Sequence, residues 1–550
     1  MITPTKTLLF FLCCLLHLNL SAQHAFDRVY AIFQNKCIQC HSSAAQGGLN
    51  LQGSSGNTES RKDEVYSNLV RKLNLNPSAE SPFRIYPGRP DLSFLYRKIN
   101  KGFDEYPGMS INPSTEGQHM PPYGNSELTV NELEEIRQWI IYGAPRTGSP
   151  YDHTLIDAFY AGEAIQSFPD GAPPAPDPVE GVQIRMGPFY IEPAGEVEFY
   201  QKYALELPFD ADIDRIDVRF GNFSHHFLLY DFDADPGSRV PDGLRKIALH
   251  QDVSLVMAFQ NSAILQLPNN TAFFWDKSTY LDLNSHYINY SGGFVYQAEV
   301  YINIYFKEQG TAKHQMRTSL IPKLDILIPN NGQTVKFEQT VVQPGFGEIF
   351  VWAMAGHTHK YGTSYKVHLR NANGSKGELI YDGACAEGIP GCASPYFDYQ
   401  HIPFRVFKPL QPINMRNGFI HEATYMNDGP NPVRWGPTSD DEMMLVVLSF
   451  VTDTAGIVTS MEMLPHASDK LKIWPNPANG NVQIQMPYLF DQIEITLWDQ
   501  YGRMVFQTIG YGSGNHFSIE LPSNLEGVYF IAAADKSSKK SWVNKLLLVK

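Results

Sequence analysis

The sequence predicts a multidomain, mostly β chain: a small α-helical domain, two tandem antiparallel β-sandwiches and a smaller C-terminal β-sandwich. Three observations carry this. At 550 residues the chain exceeds the roughly 250–300 residues at which a single hydrophobic core stops growing. Aromatic residues make up 13% of it, with 42 glycines and 38 prolines, a balance that favours strands and turns over helical bundles. The apolar periodicity also changes, from helical spacing in the first part to strand alternation after about residue 182.

The elements follow in order. Lys6, a mainly apolar stretch from Leu8 to Leu20 and the small residues Ser21 and Ala22 form the pattern of a cleaved signal peptide over residues 1–22. The stretch is shorter than the ~20 apolar residues of a membrane anchor, and His17 and Asn19 interrupt it. The mature chain is therefore expected to begin near Gln23, outside the cytoplasm. In the helical domain, 23–148, Phe26, Val29, Phe33 and Cys37 fall at helical spacing, and Thr129-Val130-Asn131-Glu132 is a capping box opening a helix through Trp139. Gly143-Ala144-Pro145 stops that helix. Residues 149–181 are expected to be a Pro-rich linker, with Phe168 to Pro176 polyproline-like. Alternating runs such as Arg215–Phe220 and Ala298–Ile304 place one sandwich over 182–315 and a second over 316–455. After a linker at 456–470, residues 471–550 repeat the β pattern around Trp474-Pro475-Asn476-Pro477.

A net charge of -14 without any basic run argues against nucleic acid or an anionic membrane surface as partner, since both need clustered cations. Of six cysteines, Cys13 and Cys14 leave with the signal. In an oxidising compartment Cys385 and Cys392 are expected to close a small disulfide ring, stabilising that loop by about 2.5 kcal/mol.

The remaining pair stands in Cys37-Ile38-Gln39-Cys40-His41. Two thiols on one helical turn can hold the thioethers of a c-type haem while the following histidine coordinates iron. Zinc would need two more ligands, and the N-terminal domain offers no further cysteine. The second axial ligand must come from a distant loop, and Met120, in Gln118–Gly124, is the candidate, with His119 as the alternative. With Gly47-Gly48-Leu49 and the Trp139 helix, the stretch from Ala25 to Arg146 resembles the class I cytochrome c domains that open large secreted bacterial proteins. The resemblance implies one covalent haem c, with His41 and Met120 on the iron.

The middle region holds His225-His226, His286 before Tyr287, His357-Thr358-His359, and Thr438-Ser439-Asp440-Asp441-Glu442-Met443. Residues two apart on a strand share a face, so His357 and His359 can reach one metal. Adjacent residues do not, so joint ligation by His225 and His226 requires a bulge or a strand end. Singly, each feature reads more readily as a structural or core residue than as a ligand. In this order they resemble the copper type II, ascorbate-dependent monooxygenases, the group of peptidylglycine alpha-hydroxylating and dopamine beta-monooxygenase, over about Val182 to Thr452.

That resemblance implies one copper per sandwich: an electron-storing copper on His225, His226 and His286, and an oxygen-activating copper on His357, His359 and Met443. It implies hydroxylation of an unactivated C–H bond by dioxygen, with ascorbate or another donor supplying two electrons. A fused haem domain is such a donor. The peptide-processing members carry an arginine two residues before His-x-His and polar residues after the methionine, whereas this chain has Ala355, Leu445 and Val447. An apolar organic substrate is expected in place of a carboxylate-ended peptide. Met444 also stands where that family has a cysteine.

Trp474-Pro475-Asn476-Pro477-Ala478, Asp499–Arg503, Gly527-Val528-Tyr529 and Asn544-Lys545-Leu546 resemble the C-terminal sorting domain of type IX secretion. The type IX machinery is thus an expected partner, and the expected location is secreted or outer cell surface. Two rival readings are a non-catalytic surface electron-transfer protein and a set of adhesive β modules without copper.

Overall fold

The computed structural model describes residues 24–43, 45–122, 127–221, 223–259, 262–384, 397, 399, 404–436, 440–457, 471–486, 492–499, 503–511, 516–522, 524–535 and 540–549. The expected signal peptide, Cys385 and Cys392, and Thr438 and Ser439 lie outside the described residues.

The N-terminal part is helical, with α1 (Ala25–Lys36), α2 (Thr58–Leu69), α3 (Phe94–Asn100), α4 (Pro113–Glu116), α5 (Val130–Ile141) and α6 (His153–Tyr160). The spaced apolar residues of α1, Phe26, Val29 and Phe33, are buried against α5, where Ile136, Trp139 and Ile140 are buried in turn. The rings of Phe26 and Trp139 meet at 5.3 Å. The capping box forms: the Thr129 hydroxyl accepts from the Glu132 amide at 3.2 Å and the Glu132 carboxylate from the Thr129 amide at 2.8 Å. Such a cap is worth about 1 kcal/mol.

The first sandwich is built from β1 (Gly181–Ile191), β2 (Glu196–Ala204), β3 (Ala211–Phe220), β4 (Ser224–Phe232), β5 (Val253–Phe259), β6 (Tyr280–Ile288) and β7 (Val295–Glu308), with shorter strands at its edges. In one sheet β7 lies between β1 and β3. In the other, β6 lies between β2 and β4, and β5 follows β4. Leu281 to Tyr287 of β6 are all buried, because the strand is central and covered on both faces. The chain passes to the second sandwich at the buried Met316. There β8 (Arg317–Pro322) pairs with β10 (Leu445–Val451), which pairs with β9 (Glu348–His357). Facing them is a four-stranded sheet of Thr334–Val341, Phe419–Met426, Gly362–Arg370 and Lys376–Asp382. Trp352, Ala353, Leu410 and Val451 of the second sandwich belong to the apolar core of the first, and the Thr318 hydroxyl donates to the Val256 carbonyl at 2.9 Å. The two sandwiches are joined by core packing.

Residues 149–181 differ from the extended tether expected of them. They contain α6 and a strand, Ala164–Gln166, that pairs in parallel with β7. The proline stretch is strapped down, since Gln183 and Asn303 side-chain amides each donate to a proline carbonyl, of Pro173 and Pro174, at 3.0 Å. Proline removes backbone donors but leaves carbonyls, and the sandwich edge uses them.

The helical domain is fixed to the first sandwich through buried charge. Arg185 of β1 holds both oxygens of Asp104 at 3.0 Å and Glu299 of β7 at 2.7 Å, while Arg137 of α5 reaches Asp104 at 3.2 Å. Burial pushes the Asp104 carboxyl up, but the Arg137 and Arg185 charges outweigh it and hold it at about 2. Gly143 and Gly243 meet backbone to backbone here. A Cβ on Gly243 would lie 2.3 Å from the Gly143 nitrogen, so only glycine permits this approach. The C-terminal residues form two further sheets around their own core, including Val482, Ile493, Leu497, Ile531 and Leu546.

Candidate metal centre

His286 of β6 pairs with His226 of β4. The register then slips, Tyr287 pairing with Ser224, so His225 is the extra residue of a β-bulge. That bulge turns two neighbouring residues toward one face, the condition the sequence imposed. The three rings lie with centroids 5.0–5.3 Å apart, and one ligand nitrogen from each falls within 4.8 Å of the others. Burial, aided by the neighbouring imidazoles, pushes His225 down to about 3, and burial also lowers His226. Neutral rings keep a lone pair for a metal.

Two glutamates of β2 supply the second nitrogen's partner. His286 Nε2 lies 2.8 Å from Glu196 Oε1, and His226 Nε2 lies 3.6 Å from Glu198 Oε1. Glu198 would be raised by burial, but the adjacent His226 ring and the Asn284 amide, which donates to it at 3.0 Å, hold it at about 2. A carboxylate on one ring nitrogen orients the ring and strengthens the other as a ligand, which at His286 leaves Nδ1 available to an ion. Sequence reasoning missed both glutamates. Their signal, Glu-x-Glu on a strand, becomes meaningful only when β2 is known to pair with β6.

His357 is the last residue of β9 and pairs with Leu445 of β10. His359 lies just past the strand, so a loop as well as strand alternation positions it. The buried Glu442 carboxylate ties this loop down by accepting from the amides of His359, Tyr361 at 3.1 Å and Met443 at 2.8 Å. Burial pushes Glu442 up to about 7 despite those donors. His359 Nδ1 lies 3.1 Å from the Asp441 carbonyl. A carbonyl only accepts, so the proton sits on Nδ1 and the lone pair on Nε2. The rings of His357 and His359 are 5.2 Å apart and nearly perpendicular. The Tyr425 hydroxyl fixes the Met443 carbonyl at 2.8 Å, and the Met443 side chain packs against an apolar cluster of Leu255, Leu445 and Val447 flanked by Tyr230 and Trp435.

The two sets of histidines adjoin. The rings of His226 and His357 are 6.2 Å apart and perpendicular. Burial drives His357 well below its ordinary value, and His359, His226, His225 and His286 push it the same way. The sequence led us to expect one cage in each sandwich, and the shared core brings the two sets side by side.

In the helical domain the Cys37–His41 segment continues α1 by a turn, the amides of Cys40 and His41 donating to the Cys37 carbonyl at 3.2 and 3.0 Å. Neither cysteine is in a disulfide. Burial pushes the Cys37 thiol up to about 12. His41 Nδ1 lies 3.3 Å from the Leu49 carbonyl, fixing the tautomer that presents Nε2. Met120 packs in the same apolar cluster as Cys37, its amide donating to the Lys98 carbonyl at 2.7 Å. His119 Nδ1 is buried without a hydrogen-bond partner.

Comparison with known proteins identifies the tail. Residues 472–549 match the family model of the secretion system C-terminal sorting domain; no monooxygenase or cytochrome c family model matches, and no curated protein does. The chain is therefore exported through type IX secretion, to the outer surface or beyond it. No helix among the described residues is long and apolar enough to cross a membrane. Similar solved structures include PorZ, a surface component of the type IX system of Porphyromonas gingivalis, at 20% identity over 20% of this chain and 14% of that one, TM-score 0.13. Others are a Ruminococcus gnavus beta-glucuronidase, at 9% identity over 39% of this chain and 34% of that one, TM-score 0.12, and a biofilm associated protein BSP domain, at 9% over 64% and 81%, TM-score 0.13. The chain thus spans far less than two thirds of the PorZ and glucuronidase structures.

Proposed function

We propose that this chain is an exported copper-dependent monooxygenase that hydroxylates a C–H bond of an apolar organic substrate, drawing electrons through a haem in its helical domain or from ascorbate. The observation that carries the reading is the convergence of five imidazoles from two sandwiches, two of them backed by carboxylates, with the Met443 backbone tied to the His359 loop through Glu442. His225, His226 and His286 would hold one copper, and His357, His359 and Met443 another; Cys37 and Cys40 would hold the haem, with His41 and Met120 as axial ligands. When bound, copper supplies dioxygen activation and the haem supplies single electrons. Overall, substrate, dioxygen, two electrons and two protons give the alcohol and water.

The chain's own residues do the rest. Glu196 and Glu198 orient the ligating rings. Glu442 keeps His359 and Met443 in register through three amides. Leu255, Leu445 and Val447 exclude water beside Met443 and offer an apolar surface to the substrate. With Ala355, Leu445 and Val447 at the family's substrate-gripping positions, a substrate carboxylate has no cation there to pair with.

Elemental analysis of the mature protein is the first test, with one iron and two coppers expected. The loaded protein should consume oxygen with a reductant, and His357→Ala should abolish this at unchanged haem content. Binding of the metals without oxygen consumption would instead favour a surface electron-transfer protein. In stopped flow, prereduced haem should be reoxidised by the copper-loaded chain; persistence of reduced haem removes the electron route.

A further inference from the structure

We propose that Tyr365 and His421 form a redox-active pair that drains oxidising equivalents from the oxygen site, Tyr365 giving up an electron and His421 taking the phenolic proton. The pair stands in the core of the second sandwich, on the neighbouring strands Gly362–Arg370 and Phe419–Met426. Both side chains are fully buried, and the Tyr365 hydroxyl lies 2.6 Å from His421 Nδ1. Were Nδ1 the donor, the phenol proton and the Nε2 lone pair would both be left without partners. With the hydroxyl donating, only the N–H of Nε2 is unpartnered, so Nδ1 is the acceptor.

An orphaned imidazole nitrogen in a core carries its full desolvation penalty, which apolar residues in both places would avoid. Packing alone therefore does not account for the pair. What the pair provides is a proton route. Loss of one electron turns a phenol into a strong acid, and a hydrogen-bonded base then takes its proton. The electron passes to the oxidant, the proton crosses to His421 Nδ1, and no bond between heavy atoms forms or breaks; re-reduction returns both. Burial, with the Lys323 charge, holds His421 down at about 4, so the ring is neutral and its Nδ1 lone pair is open. Gln339 stands directly opposite His421 on Thr334–Val341, and its buried Oε1 has no hydrogen-bond partner. Paired residues share a sheet face, which puts an acceptor beside the imidazolium. Tyr425 differs, since its hydroxyl donates to the Met443 carbonyl at 2.8 Å, an oxygen that cannot take the proton. Position links the pair to the histidine cluster. A Cβ on Gly356 would lie 2.3 Å from Tyr365 Cδ1, so the ring presses on the backbone immediately before His357. The oxidant is partially reduced dioxygen formed when no substrate is bound, and for that source the inference rests on the copper reading above.

The test has two arms, both on the full chain. In the first, ruthenium(III) tris-bipyridine, generated by a light flash with persulfate, is the one-electron oxidant, and EPR reads the tyrosyl radical. A long-lived signal is expected that forms more slowly in D2O, is lost in Tyr365→Phe and is diminished in His421→Phe. No signal in the unaltered chain, or one unchanged by Tyr365→Phe, overturns the pair. A signal indifferent to D2O and to His421→Phe overturns the part given to His421. Tyr365→Phe keeps the ring's shape, near-ultraviolet circular dichroism reports the folding of each variant, and the D2O comparison needs no variant. In the second arm the reduced, copper-loaded chain meets dioxygen without substrate. The same signal should appear, and Tyr365→Phe should lose activity after fewer turnovers. Oxygen consumption without the signal overturns the drain while leaving the copper reading intact. Absence of oxygen consumption removes the copper reading and the drain with it, and the first arm still decides whether the pair is redox-active.

Discussion

Cys37, Cys40 and His41 stand on a single turn that continues α1, whereas His225 and Met443 are separated by more than two hundred residues and meet only through two sandwiches, a bulge and a loop. In the first site the two thiols and the first histidine are local, since one helix and the turn after it determine their geometry, and only Met120 comes from a distant loop. The second is a property of the tertiary fold, since each ligand is set by strand register. The lesson is that damage should spread differently: loss of register should empty the histidine cluster and leave the helical site intact.

The largest effect should come from the ligands. His225→Ala with His286→Ala should eliminate binding at one copper position, read by elemental analysis, with an unchanged haem spectrum; a lost spectrum would mean the regions are not independent. Next is the seam that joins them. Asp104→Ala leaves Arg185 and Arg137 partly unpaired in a buried site, so unfolding should become easier by about 3 kcal/mol, seen by denaturant melts. Acid should mimic it. Because the folded Asp104 carboxyl is held at about 2, below the ~3.9 of an unfolded aspartate, its stabilisation is present above that unfolded value and is lost as pH falls through about 2. A seam insensitive to pH over this window would show that Asp104 is not its anchor.

Smaller is the effect of orientation. Glu196→Gln keeps the shape but removes the carboxylate behind His286, and copper affinity should fall about 10–100-fold without altering iron content. Smallest is Thr129→Ala, which deletes the capping-box hydroxyl of α5 and should cost about 1 kcal/mol in the helical domain while copper stoichiometry stays the same.

Legibility in the sequence follows the same divide. Helix α1, the Thr129 cap and the alternating strands are local patterns, and the structure has them. For His225-His226 the sequence stated a condition, a bulge or strand end, without being able to place it; the bulge arises from how β4 pairs with β6. Glu196 and Glu198 were unreadable because their role depends on the neighbour of β2. The Pro-rich segment misled because composition reports stiffness, and its carbonyls found donors on Gln183 and Asn303.

By itself the sequence determined the mostly β organisation, the sorting tail and the residue types able to bind metal, because periodicity and short motifs encode neighbours along the chain. Only the tertiary structure decided that five histidines from two sandwiches form one cluster and that Glu196 and Glu198 back two of them. Contacts between distant strands depend on register and on the shared burial of Trp352 and Val451 in the neighbouring core, and no local spacing along the chain carries that information.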